Sequence, residues 1–113
     1  MSRSGEVRLW VAQRATAVVL AFCVLVHLAT IVYAVRHGLS AAEILGRTRG
    51  NLAWAGFYVI FVVAAAVHGA IGLRTVAAEW LRFRGAAAEV TMTLVGFVLA
   101  VLGLRAVVAV FGA

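Results

Sequence analysis

Three apolar runs, each long enough to cross a bilayer, constrain this chain more than any motif in it. A spanning helix needs about 20 consecutive, mostly apolar residues. Runs of that kind lie at about residues 10–35, 52–75 and 90–111. They take up most of the 113 residues, so little chain is left for a soluble domain. Hydrocarbon offers no partner to a free backbone N–H or C=O, and short single runs meet that demand as helices. The expected fold is therefore all-α membrane: three transmembrane helices in one domain covering residues 1–113. A composition that is 65% hydrophobic, with 12% charged residues and no Pro, is too apolar for a soluble globular protein.

The net charge of +6 would point to nucleic acid in a soluble protein. Here the basic residues sit between and beside the apolar runs. Lipid headgroups, anionic cofactor groups or a docked subunit are the expected partners, and no nucleic acid. All ten basic residues are Arg, the bias of a GC-rich bacterial genome, so a bacterial inner membrane is the expected location. The single Cys, Cys23, lies in an apolar run and excludes an internal disulfide or a CxxC metal site. The first run is long enough to span and lacks a small-residue cleavage site, so it reads as a span and not as a cleaved signal.

Residues 1–9 read as a polar, basic lead-in, with Trp10 as an interfacial belt residue. At 100° per residue, Gln13, Thr16, Leu20, Cys23 and His27 fall on one stripe of the first helix, with Arg14 off it. That stripe predicts an inward face. The loop 36–50 contains a capping-box pattern from Ser40 to Glu43, which predicts a short interfacial helix. Trp54 and Tyr58 read as interface markers at the start of the second span. The second helix is expected to continue past the membrane to Phe83, and a turn at Gly85 precedes the third span. Arg3, Arg8, Arg14, Arg74, Arg82 and Arg84 flank one side of the spans; Arg36, Arg47, Arg49 and Arg105 flank the other. The count favours a cytoplasmic N-terminus.

The chemistry concentrates in two imidazoles. His68 sits in AAAVHGAIGLRTVAAEWLRFR (64–84) among Ala64, Ala65, Gly69 and Gly72, small residues that leave room for something flat beside the backbone. An ionisable residue within a span marks a functional site by default. Haem ligation, a hydrogen bond to a neighbouring carbonyl and a place in a proton path all remain open for it. Gly69 and Gly72 could equally be packing glycines. His37, in the loop, reads as a surface residue. By helical rise His27 stands about 20 Å above Arg14, and His68 about 9 Å above Arg74. The two imidazoles then differ in depth by roughly 10 to 13 Å, too much to clamp one iron. Met92 of the third span lies near the inner end, so a second ligand for either His has to come from a second subunit or a second copy of the chain. No paired carboxylates, nucleotide loops or catalytic triads occur, so the chain alone performs no bond chemistry on a soluble substrate.

QRATAVVLAFCVLVH (13–27) resembles the QR-x-T/S-G/A opening of membrane-anchor subunits of succinate dehydrogenase and fumarate reductase. HGAIGLRTVAAEW (68–80) is similar to their second-helix pattern, H-x3-G followed by an acidic–aromatic pair. With three spans, the resemblance covers nearly the whole chain. It implies a haem b-containing anchor of succinate:quinone oxidoreductase, respiratory complex II, that holds a flavoprotein subunit and an iron–sulfur subunit and passes electrons to quinone. It implies His68 as the haem ligand and Arg14 beside the propionates and the quinone pocket. Glu79 and Trp80 stand where the family has Asp–Tyr beside that pocket. Trp keeps a single N–H donor but lacks the phenol, which puts that quinone contact in doubt.

His27 resembles the first-helix ligand of two-haem anchors. That implies two haem b groups shared with a second membrane-anchor subunit. Arg105, about 24 Å above the inner face by helical rise, would share the depth of His27 and meet the outer propionates, unless it snorkels outward. A fumarate reductase anchor, a haem b subunit of another dehydrogenase or hydrogenase, and a haem-free transporter or assembly subunit are the alternatives.

Overall fold

The computed structural model describes residues 2–112. It is all-helical among the described residues: α1 (Arg3–His37), α2 (Ala41–Thr48), α3 (Leu52–Trp80) and α4 (Ala86–Phe111). Helices α1, α3 and α4 are each long and apolar enough to cross a membrane. The two outer members, α1 and α4, pack on α3.

The polar, basic lead-in is helical from Arg3 onward, continuous with the first span. The Ser2 side chain accepts a hydrogen bond from the Gly5 N–H, and Glu6 lies in the first turn, where a carboxylate complements the helix dipole. Polar residues hid this start because the apolar pattern begins only after it. The predicted interfacial helix is present as α2. Ser40 Oγ accepts from the Glu43 N–H at 3.1 Å and donates to the Glu43 carboxylate at 2.9 Å. Gly38, with φ 131°, lies against that carboxylate, where a Cβ would collide with it. The end of α2 caps α4: Thr48 Oγ1 donates to the Val110 carbonyl at 2.7 Å, and the Gly50 N–H donates to Phe111 O at 2.8 Å. Two of the carbonyls that a helix C-terminus leaves free are thereby satisfied.

Helix α3 ends at Trp80, three residues before the expected Phe83. Arg82 takes a left-handed conformation at φ 55°, and the Phe83 N–H folds back to the Ala77 carbonyl at 3.0 Å. Gly85, at φ 88°, then starts α4 at Ala86, ahead of the expected Val90.

The interior is made of small side chains: Cys23, Ala64, Ala66, Ala77, Ala88 and Val107. Many large apolar residues face outward, which suits lipid or a partner helix and no aqueous surface. Small residues let the backbones of α3 and α4 approach. A Cβ on Gly96 would lie 3.0 Å from the Ala70 Cβ, and one on Gly103 would overlap the Val62 methyls. Arg74 and Glu89 pair across the inner end of the same seam at 2.7 Å.

Candidate functional site at the α1/α3 seam

The predicted stripe on α1 is the face that meets α3. Gln13, Thr16, Leu20 and His27 are partly covered, Cys23 is 2% exposed, and Arg14 is exposed. Three contacts fix one antiparallel register. A Cβ on Gly72 would sit 3.4 Å from Gln13 Nε2. His68 Nδ1 lies 3.2 Å from Thr16 Oγ1, and His27 Nδ1 lies 3.1 Å from the Tyr58 hydroxyl. Each imidazole is therefore held by a hydroxyl from the facing helix.

By rise along either helix, the two imidazoles lie about 15 to 17 Å apart in depth. That exceeds the 10 to 13 Å expected from the sequence, because α3 slides against α1 by more than the loop arginines imply. The conclusion drawn from the smaller value holds: one iron cannot take both.

At the inner position the threonine hydroxyl also has acceptors on its own helix. Thr16 Oγ1 donates to the Ala12 carbonyl at 2.7 Å, with Gln13 O at 3.2 Å as its second acceptor. A hydroxyl has one proton. With that proton engaged on its own helix the hydroxyl accepts from His68, the arrangement in which the ring carries its proton on Nδ1 and keeps a lone pair on Nε2. One turn away, Gln13 Oε1 is buried with no hydrogen-bond partner among the described residues. A buried amide oxygen left unpaired is costly, so a further group is expected against it.

Gly69 and Gly72 face neighbouring helices. The first lies 3.6 Å from Leu99 Cδ1 by its Cβ direction and the second packs against Gln13, so both are helix-packing glycines. Of their small neighbours, Ala64 is buried and Ala65 exposed.

The outer position is built differently. His27 stands edge-on to Tyr58 and Phe61, with ring centroids 5.7 and 5.6 Å away. It lines a cavity of about 810 Å³ together with Thr30, Tyr33, Arg47, Trp54 and Tyr58. The Arg47 guanidinium donates to Gly38 O at 2.7 Å and lies over the Tyr33 ring at 5.4 Å. Arg105 shares the depth of His27, since Gly103 faces Val62 and Arg105 is one half-turn further on. It is exposed on α4, however, and is not brought to His27 within this chain. The arginine in the cavity is Arg47, which sequence reasoning left among the loop charges. Tyr58, read as an interface marker, is the partner of His27.

The inner polar residues do not converge either. Arg14 is exposed, with its guanidinium 5.2 Å from the Trp10 ring centroid. The register places Glu79 and Trp80 level with the first turn of α1, about 12 to 14 Å below Arg14. Both are exposed, Trp80 to 80%. The expected common depth of Arg14 with the Glu79–Trp80 pair is therefore not found, because the α1/α3 register sets the end of α3 opposite the start of α1. His37 is exposed and stacks on Tyr33 at 4.2 Å.

No three His, Cys, Asp or Glu gather at one point among the described residues. The donor set at His68 still fits haem b: a neutral imidazole with Nδ1–H engaged and Nε2 free is the form that haem iron takes. Three helices long and apolar enough to cross a bilayer, packed along two seams, define a multi-pass membrane protein. The chain belongs to the family described as succinate dehydrogenase/fumarate reductase transmembrane subunit, whose model matches residues 3–110. No curated protein and no solved structure matches it.

Proposed function

We propose that this chain is the haem b-carrying anchor of a succinate:quinone oxidoreductase in a bacterial inner membrane, with its N-terminus on the cytoplasmic side. The observation that carries this reading is the His68–Thr16 pair, which leaves one imidazole lone pair free at mid-seam. Bound there, haem b supplies one-electron transfer between a docked iron–sulfur subunit and quinone. His68 would hold the group through Nε2, and a second membrane-anchor subunit would supply the further ligand. Met92 cannot, because it lies near the level of Arg74, about 9 Å below His68. His27 would hold a second haem in the outer half, where Arg47 lines the same cavity and Arg105 lies at the same depth on α4, both cations suited to anionic propionates.

The quinone site belongs to the inner half. Arg14 offers the donor within the membrane, while Glu79 and Trp80 stand at the headgroup level beside the docked flavoprotein–iron–sulfur pair. The exposed arginines Arg3, Arg8, Arg82 and Arg84 suit an acidic docking surface. The direction assigned is succinate oxidation, with fumarate reduction the reverse of the same chemistry.

The test is the assembled complex. Reduced-minus-oxidised spectra should show a b-type α band, and the pyridine haemochrome assay should give two haems per flavin. A complex without haem would end the reading.

A further inference from the structure

We propose that Thr16 is the positioning residue for His68: its hydroxyl locks the ring as the Nδ1–H tautomer and fixes the direction of the Nε2 lone pair. The inference rests on the haem reading above and deepens it.

A threonine in a helix has few side-chain rotamers, and one of them directs Oγ1 at the carbonyl four residues back. Thr16 adopts that arrangement, with 2.7 Å to Ala12 O. Inside an apolar span no water competes for the bond, so the hydroxyl neither rotates nor releases its proton. What it offers across the seam is a lone pair, 3.2 Å from His68 Nδ1. A neutral imidazole carries one N–H, and this contact assigns it. Nε2 is left as the only metal-binding atom of the ring.

The bond also stops rotation about the Cβ–Cγ axis, which in a wider seam would let the ring flip. The seam gives little slack here, since Gly72 already abuts Gln13 one turn away. Electron density that the acceptor pushes onto the ring stabilises the oxidised metal. Loss of the hydroxyl is therefore expected to raise the haem potential and weaken the Fe–N bond.

The experiment uses the intact complex with Thr16→Val, Thr16→Ala and Thr16→Ser. Bound flavin in the membrane fraction reports assembly, a redox titration reports the haem potential, and haem transfer to an apo-globin reports affinity. The valine and alanine variants should assemble, titrate at a more positive potential, and release haem about 10- to 100-fold more readily, the usual effect of removing such a partner. Serine should restore both properties.

A potential and release rate like the parent's in the valine and alanine variants would overturn the proposal. So would failure of both to assemble while serine assembles, since the hydroxyl would then be structural. His68→Ala separates this from the broader reading: a parent complex that lacks haem, or keeps it all in His68→Ala, overturns the haem assignment itself.

Discussion

The inner and outer halves of the α1/α3 seam hold the same device in opposite settings. At the inner half a short, β-branched hydroxyl on α1 meets an imidazole on α3. At the outer half a long phenol on α3 meets an imidazole on α1. Thr16 has already given its proton to its own helix, so the tautomer of His68 is decided by the backbone. The Tyr58 hydroxyl has no other hydrogen-bond partner among the described residues and can either donate to His27 or accept from it, so the tautomer of His27 is left to whatever enters the cavity. The inner half is closed by Gly72 against Gln13; the outer half opens into about 810 Å³. One position is fixed before anything binds, and the other is completed by binding.

The largest effect that can break this contrast is on haem content. His68→Ala should remove the inner haem, and His27→Leu should remove only the outer one, so haem per flavin falls by half in each. A ratio near one in the parent, with an unchanged spectrum in His27→Leu, would leave His27 as a hydrogen-bonding residue alone.

Next comes the packing asymmetry. Gly72→Leu forces a side chain into the closed half and should cost about 1 to 3 kcal/mol. Thermal release of haem from the detergent-purified complex measures it. A melting midpoint equal to the parent's would show that the inner seam has room for the added side chain.

A smaller effect is expected of Tyr58→Phe, which keeps the ring and removes one neutral hydrogen bond worth about 1 kcal/mol. Because the cavity can supply another partner to His27, the outer haem potential should move less than the inner one does in Thr16→Val. Equal shifts would make the two hydroxyls equivalent. The smallest change is Ala34→Leu on the wall of the open half, expected within about 0.5 kcal/mol of the parent. A loss like that of Gly72→Leu would mean that the cavity is already filled in the complex.

Much of this frame was legible in the residues. The stripe from Gln13 to His27 followed from a period of one helix, and that face is the covered one. Ser40 and Glu43 announced α2 by local chemistry. The hydroxyl partners were harder to see, because pairing across a seam depends on how far one helix slides along another. Periodicity within a helix carries no information about that slide. Tyr58 looked like a belt residue for this reason, and Arg14 was set level with Glu79 and Trp80. Arg47 was missed because a loop charge shows its role only once α2 folds back over the cavity. The polar start of α1 lay outside the apolar signal and needed the Ser2 cap to reveal it.

That early start has a mechanical consequence. A helix of 35 residues rises about 52 Å, whereas the hydrocarbon it crosses is about 30 Å thick. From Arg3 to Leu9, α1 runs as about two turns of unbroken helix below Trp10, carrying Arg3, Glu6 and Arg8. There is no joint between these charges and the hydroxyl of Thr16. The helix is thus a keyed shaft as well as a span. One residue inserted before Trp10 would turn the charges by about 100° and advance them about 1.5 Å relative to the seam. A protein that grips them is thereby indexed, in angle and in height, to the ring of His68.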